Sequence, residues 1–236
     1  MGISHSAFLR FKPDASEEAL QALWDKLDEF PAIKPGIRRW ISGKPGPYYP
    51  SASDYYQFGF TCELDSATVM PAFHGHPFHA QAGALMGPVV DDYIVLNYEF
   101  TAVQQSAVVH KPPREGDPAV AVAHVVMLKF KEEVSDETLE EFRLALDLFP
   151  REKSYIRRWT MGKTVQLYPG ATDRFDLAFI AEVDSIEAME EYAAHPFHTE
   201  IVGPMLVPIM EDVLVVDYTY SRVLQSATDY AQIIPG

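Results

Sequence analysis

The chain carries one domain-sized sequence twice. Residues 5–79 align with residues 124–198 without a gap, and about two in five aligned positions are identical, too many for shared composition alone. The IRRW segments at 37–40 and 156–159 match, and both stretches end in an HPFH motif. A single inserted residue follows the second HPFH, and the match then continues to the end of the repeat. The chain must therefore fold as two copies of one unit.

Composition excludes several classes of partner. The net charge of −15 argues against nucleic acid, because phosphate binding requires clustered Lys and Arg. No apolar run reaches the length of a transmembrane helix, and the N-terminus lacks a signal-peptide pattern. Cys62 is the single cysteine, so a disulfide within the chain is impossible and a reducing compartment is expected. We therefore expect a cytoplasmic protein without a nucleic-acid or membrane partner.

Each copy has the same predicted order of elements. It opens with strand-like alternation, followed by a helix that Ser16 caps and Pro31 ends. Two strands, a second capped helix and a last strand complete the unit. In the first copy the predicted strands cover residues 3–12, 36–44, 55–63 and 93–100, and the second helix begins after Asp65 and Ser66. The order is β-α-β-β-α-β, the ferredoxin-like unit.

One such unit leaves a sheet face uncovered, and two units can pack sheet to sheet to bury those faces. The predicted fold is therefore α+β, with two ferredoxin-like repeats that form a dimeric α/β barrel within one chain. Repeat one is assigned to residues 1–100, and repeat two to residues 121–236 with a C-terminal tail. Residues 101–120, with HKPPREGDP in the middle, are predicted to be a solvated linker. The sequence leaves open whether these pseudo-dimers associate further as homo-oligomers.

These residues resemble a known family. A first strand that opens with His and ends in L-[RK]-F-K, together with Y-x-x-H-P-x-H in the second half, is similar to the stress-responsive dimeric α/β-barrel (Dabb) domain. The resemblance covers residues 3–100 and 122–220. Most family members are homodimers of one domain, and this chain resembles a tandem version. The family includes plant stress proteins without established chemistry. It also includes polyketide cyclases of the olivetolic acid cyclase type, which close a linear polyketide by aldol condensation.

The resemblance to the cyclases implies candidate catalytic residues. Their strand-one histidine, their tyrosine and the last histidine of their HPxH motif correspond to His124, Tyr192 and His198 in repeat two and to His5, Phe73 and His79 in repeat one. A further pocket tyrosine of the cyclases is replaced by Leu146, and by Leu27 in repeat one, which puts the same substrate in doubt. Because only repeat two keeps a Tyr–His pair, it is the better candidate for the active half.

The histidines suit proton transfer, because the imidazole pKa lies nearest neutrality. In this hypothesis His198 is the general base, Tyr192 donates to a developing oxyanion, and His124 handles or orients a second proton. The alternative is structural: His76 and His195 precede proline, where a ring nitrogen can accept from a loose backbone N–H. Two imidazoles three residues apart are also potential metal ligands, but no HExxH or paired-cysteine spacing accompanies them. We predict no metal and no cofactor.

The duplicated Arg-Arg-Trp is the second unusual feature. Strand alternation predicts that Arg38 and Trp40 share one face while Ile37, Arg39 and Ile41 share the other. A guanidinium near a lumen would hold a carboxylate or enolate, and an indole would stack on a ring. The candidate substrate-binding residues are therefore Arg39, Trp40, Arg158 and Trp159. The alternative is that each Trp packs in the core beneath an arginine stem.

Tyrosines also occur in the loops between the second and third strands, at Tyr48, Tyr49 and Tyr168. They would either rim a pocket or pack within their loops.

Two functions follow from these residues. The first is a cofactor-free lyase, cyclase or isomerase that acts on a hydrophobic, carbonyl-bearing small molecule, aromatic or polyketide-like. The second is a non-catalytic stress-responsive or ligand-binding barrel whose matched histidines satisfy structural hydrogen bonds.

Overall fold

The computed structural model describes residues 1–34, 36–105, 121–153 and 155–225, without the side chains of Gln105 and Gln225. Residues 106–120, which form most of the predicted linker, and the predicted tail from residue 226 lie outside the described residues.

Both repeats have the predicted β-α-β-β-α-β order. Repeat one contains β1 (Gly2–Phe11), α1 (Glu17–Asp28), α2 (Phe30–Ile33), β2 (Ile37–Pro45), β3 (Phe58–Leu64), a 3₁₀ turn (Ala67–Val69), α3 (Met70–Gly75), α4 (Pro77–Val89) and β4 (Val90–Phe100), followed by the short β5 (Gln104–Gln105). Repeat two contains β6 (Ala121–Phe130), α5 (Asp136–Leu146), α6 (Phe149–Glu152), β7 (Ile156–Lys163), β8 (Leu177–Val183), α7 (Ile186–Ala194), a π-helix (Phe197–Val202), α8 (Gly203–Ile209) and β9 (Met210–Tyr220), followed by β10 (Leu224–Gln225).

Local sequence signals account for the helix ends. Ser16 Oγ accepts a hydrogen bond from the backbone N–H of Ala19, as expected of an N-cap. Pro31 does not end the first helix. Instead α1 ends at Asp28, and Pro31 lies in the first turn of α2, where its missing N–H has no helical partner to lose.

One inserted residue in repeat two falls in the π-helix, whose wider turn accommodates an extra residue.

The second helix of each repeat breaks at the HPFH motif. His76 precedes α4, and its Nδ1 accepts from the backbone N–H of Phe78 at 3.2 Å. His195 Nδ1 accepts from the backbone N–H of Phe197 at the same distance. The structural alternative for these two histidines is therefore confirmed.

The two repeats close one antiparallel barrel. One sheet has the order β4-β1-β3-β2 and the other β9-β6-β8-β7. They join where Lys44 and Pro45 pair with Thr219 and Tyr218, and again where Tyr98 bridges to Thr164. The short strands exchange between repeats, since β5 pairs with β7 and β10 pairs with β2. The predicted intrachain α/β barrel is confirmed.

Glycines make both seams possible, a seam being the line along which strands of the two sheets meet. A Cβ atom at Gly43 would lie 1.6 Å from the backbone oxygen of Thr219, and one at the matched Gly162 would lie 1.6 Å from that of Glu99. Only a residue without a side chain allows the strands of opposite repeats to approach this closely.

Side chains fill the space between the sheets. Phe8, Ile41, Tyr98, Met127 and Tyr218 belong to one buried cluster drawn from both repeats. The helices cover the outer sheet faces, where each repeat buries a separate core of its own. The barrel is therefore a packed interior rather than an open lumen.

Two buried ion pairs cross from one repeat to the other inside this interface. Arg39 donates to both carboxylate oxygens of Glu182, at 2.7 and 2.6 Å. Arg158 donates from Nε and Nη2 to Glu63, at 2.9 and 2.6 Å. All four side chains are at most 13% exposed. Because each arginine makes two directed hydrogen bonds to one carboxylate, these pairs fix the position of one sheet relative to the other.

Strand β2 departs from simple alternation. Its register with β3 shifts between Ile37 and Arg39. As a result Ile37 packs in the helix-side core with Trp40, while Ile41 lies in the interface core. The expectation that Ile37 shares a face with Ile41 was therefore wrong, because one extra residue in a strand reverses the faces that follow it.

No described helix is both long enough and apolar enough to cross a membrane.

Breaking a cross-repeat pair should destabilise the barrel. We expect Glu182→Gln to lower the free energy of unfolding by about 3–5 kcal/mol, because it leaves a buried guanidinium without its main carboxylate. Urea denaturation followed by circular dichroism measures this loss. The control is Glu140→Gln, which breaks an exposed pair with Arg143 and should leave stability unchanged. Equal midpoints for the two variants would contradict the role of the buried pairs.

Candidate functional site

In repeat two, three elements bring three predicted catalytic residues together. His124 lies on β6, Tyr192 on α7, and His198 in the π-helix. The Tyr192 ring centroid is 5.2 Å from that of His124 and 5.3 Å from that of His198. The ring of Phe149, from α6, packs on Tyr192 at 5.2 Å. We call these residues, with Tyr49, Lys153 and Asp217, the second-repeat cluster.

A buried carboxylate orients His124. His124 Nδ1 lies 2.7 Å from Asp217 Oδ1, and both side chains are at most 2% exposed. The carboxylate accepts a hydrogen bond from Nδ1–H, which fixes the orientation of the ring. The other oxygen of Asp217 accepts from the backbone N–H of Tyr49 at 2.7 Å. Asp217 thus links the histidine to a loop of the other repeat.

Tyr49 enters the second-repeat cluster from repeat one. Its hydroxyl lies 3.3 Å from His198 Nε2, and its ring centroid lies 5.0 Å from that of His124. The loop that carries it crosses β9, where Ser53 N–H donates to the backbone oxygen of Val215. In the same way the loop of repeat two places Tyr168 beside His5 and His74. The histidines of each repeat are therefore contacted by a tyrosine from the opposite repeat.

Burial keeps His198 unprotonated and the two tyrosines protonated, so the histidine can accept a hydrogen bond and the hydroxyls can donate one. Burial, with smaller contributions from Lys153 and His124, lowers the pKa of His198 to about 4. Burial also raises the pKa values of Tyr49 and Tyr192, so both phenols keep their protons. At neutral pH, His198 is therefore neutral and can accept a proton.

Sequence reasoning missed two buried lysines at matched positions, Lys34 and Lys153. Lys153 is 1% exposed, donates to the backbone oxygen of Tyr192 at 3.1 Å, and lies over the Tyr192 ring at 4.2 Å. Burial lowers the pKa of each lysine to about 7. The signal was present, since a lysine three residues before IRRW is identical in both repeats while its neighbours differ. Lysine is rarely buried in this way.

Repeat one holds a related but different cluster. His5 Nδ1 lies 2.7 Å from Asn97 Oδ1, where repeat two has a carboxylate. His79 Nδ1 lies 2.8 Å from Lys34 Nζ. His74 stands where repeat two has Ala193, and Phe73 replaces the tyrosine. Burial lowers the pKa of His5 to about 4 and that of His79 to about 3.

Among the described residues, no hydrogen bond or ring contact joins the candidate substrate-binding residues directly to the histidines. Trp40 stacks on Phe60 at 4.4 Å, and Trp159 stacks on Phe179 at 4.7 Å, each within its own core. Arg39 and Arg158 form the cross-repeat ion pairs. Two cavities of about 120 and about 180 Å³ open beside the tryptophans, one at Trp40 and Arg222, the other at Trp159 and Gln104.

Among the residues described, no group of three His, Cys, Asp or Glu side chains is arranged to hold a metal ion.

Comparison with known proteins matches the chain to a family over most of its length. The sequence model of the stress responsive A/B barrel domain matches residues 3–100 and 122–220. The chain is 32% identical over 102 residues to the stress-response A/B barrel domain-containing protein HS1 of Arabidopsis thaliana, an alignment that spans 41% of this chain and 87% of that protein.

Solved structures share the whole two-repeat architecture. One from Fusobacterium nucleatum, provisionally assigned as a monooxygenase, aligns over 98% of both chains with a TM-score of 0.67 and 8% identity. An anthrone oxidase-like protein aligns over 99% of this chain and 96% of its own, with a TM-score of 0.66 and 12% identity. At these identities the likeness shows the fold alone.

The depressed histidine pKa values predict acid sensitivity. The unfolded chain binds protons at its histidines below about pH 6.5, whereas buried His5 does not until about pH 4, so stability falls as the pH falls between these values. For His5 the loss is up to about 3 kcal/mol. We expect His5→Gln to show a smaller loss of stability than the wild type between pH 7 and pH 4, measured by urea denaturation at each pH. Parallel pH profiles for the two proteins would rule this out.

Proposed function

The chain belongs to the stress-responsive A/B barrel domain family, and we propose that its second repeat removes a proton next to the carbonyl group of a hydrophobic small molecule without a cofactor. The observation that carries this proposal is the contact between His198 Nε2 and the Tyr49 hydroxyl, 3.3 Å apart, beside the buried His124–Asp217 pair. Enolisation requires a base and a donor to the developing oxyanion, which a neutral imidazole and a phenol can supply.

In the proposed step, His198 Nε2 takes the proton from the carbon next to the carbonyl. The electron pair of that C–H bond becomes the enolate, and the Tyr192 hydroxyl donates to the enolate oxygen. The Tyr49 hydroxyl lies beside Nε2 of His198, the atom that would take the proton. A bound substrate would displace this hydroxyl. Lys153, when protonated, lowers the energy of the negative charge that develops.

The surroundings favour an aromatic or otherwise apolar substrate. The rings of Phe149, Phe179 and Tyr192 contact the histidines of the second-repeat cluster. From the enolate, attack on a second carbonyl gives a cyclase, loss of a leaving group gives a lyase, and return of the proton at another carbon gives an isomerase. Since Cys62 is the single cysteine and is buried, we place this activity in the cytoplasm.

A second function is favoured by a specific observation. The rings of the second-repeat cluster contact one another, and side chains fill the barrel interior. A stress-responsive barrel that binds a ligand or partner without chemistry would have the same packing. In that case the histidines serve only to satisfy hydrogen bonds.

Proton exchange distinguishes the two functions without knowledge of the natural substrate. With acetophenone in D₂O near neutral pD, we expect the wild type to accelerate exchange of the methyl protons, followed by ¹H NMR. We expect His198→Ala to lower the exchange rate about 100-fold or more, since general-base catalysis contributes on this scale. Tyr192→Phe should lower it about tenfold or more through loss of an oxyanion donor.

The control is Glu200→Gln, an exposed change in the same π-helix as His198. It should leave the exchange rate unchanged. Wild-type rates in both His198→Ala and Tyr192→Phe, or no acceleration by the wild type, would favour the non-catalytic function.

A further inference from the structure

The cluster of repeat one holds a buried lysine without a carboxylate beside it. We define this first-repeat cluster as His5, Lys34, His74, His79, Asn97 and Tyr168. Lys34 is 3% exposed, and no Asp or Glu in the described part of the chain forms an ion pair with it. Cys62 is its one close acidic neighbour, but burial raises the pKa of that thiol and keeps it neutral. A buried ammonium is stabilised by an anionic partner, and this cluster supplies none of its own.

One substitution separates the two clusters electrostatically. In repeat two the buried residue beside the strand-one histidine is Asp217, whose negative charge repels a second anion. In repeat one it is Asn97, which is neutral and 1% exposed. An anion that the second-repeat cluster excludes is therefore compatible with the first.

The first-repeat cluster also has buried nitrogens without a hydrogen-bond partner, and one of them, the amide of Asn97, is a donor. Asn97 Nδ2 and His74 Nε2 are buried and have no hydrogen-bond partner. In repeat two the position of the Asn97 nitrogen is taken by an oxygen, Asp217 Oδ2, which accepts from Tyr49 N–H. A protonated Lys34 donates to His79 Nδ1, so the ring proton of His79 is on Nε2, where it is a further donor. The cluster therefore lacks a hydrogen-bond acceptor for these donors.

Apolar rings surround these donors. The ring centroids of Phe73 and Phe30 lie 5.5 and 5.9 Å from that of His79, and Tyr168 covers His74 at 3.7 Å. His74, His79 and Tyr168 are only partly buried, so this side of the cluster faces solvent. An inorganic anion would use the donors alone, whereas an organic anion would also bury its body against the rings.

We propose that the first-repeat cluster binds a small organic anion, a carboxylate on an apolar body, through Lys34, His74 and His79. This site is separate from the second-repeat cluster and does not depend on the proton transfer proposed there. The tandem chain would then hold one acid–base site and one anion site in place of two equal copies.

Calorimetric titration of the full chain tests the proposal, with sodium benzoate as the probe and benzamide as its neutral analogue. We expect one equivalent of benzoate to bind and benzamide not to bind. Lys34→Met should weaken benzoate binding about tenfold to 100-fold, the range of a charge-assisted hydrogen bond. The matched control is Lys153→Met in repeat two, which should leave benzoate affinity unchanged.

A second pair of variants exchanges the residue that separates the clusters. Asn97→Asp, nearly the same shape, should also weaken benzoate binding. Asp217→Asn, the reverse change in repeat two, where Ala193 stands in place of His74, should leave the stoichiometry at one equivalent. Thermal unfolding of each variant shows that it is folded. The proposal is overturned if benzamide binds as tightly as benzoate, or if Lys34→Met and Asn97→Asp bind like the wild type. If chloride competes with benzoate at equal affinity, the claim that the ligand is an organic anion is overturned, and the site is one for simple anions.

Discussion

Each four-stranded sheet has an apolar face that its own helices cannot cover, because both helices of a ferredoxin-like repeat lie on the same side. The second repeat covers that face, and the rest of the structure follows from this packing. Strands from opposite repeats must meet at the two seams, and Gly43 and Gly162 let them do so. The charged residues that fall inside must pair, and Arg39 and Arg158 find their carboxylates in the opposite repeat.

Local signals in the sequence predicted most of this fold. Strand alternation, capping serines and the internal repeat gave the element order. The first histidine of each HPFH motif accepts a hydrogen bond from a nearby backbone N–H, as the proline after it suggested. Two features could not be predicted locally. The register shift after Ile37 depends on pairing with β3, and the loop tyrosines depend on how one repeat lies on the other. Contacts between residues far apart in sequence leave no periodic signal.

The candidate site was predictable where it follows the family pattern and not where burial decides its chemistry. Matching the repeats to the family named His124, Tyr192 and His198, which the structure brings together. It did not name Lys153, because a lysine in sequence looks like a surface residue until its surroundings are known. Nor did it weigh Asp217 against Asn97, a difference of one atom type that changes what each cluster can accept.

The crossing of the loops separates where a residue is encoded from where it acts. Tyr49 is part of the first repeat by sequence and of the second-repeat cluster by contact, and Tyr168 shows the reverse. A single repeat expressed alone would therefore lack one wall of its site, unless two copies paired to restore it. In the fused chain, each half therefore carries a loop that must stay compatible with chemistry belonging to the other half. A change in one copy of this loop alters the site of the opposite copy.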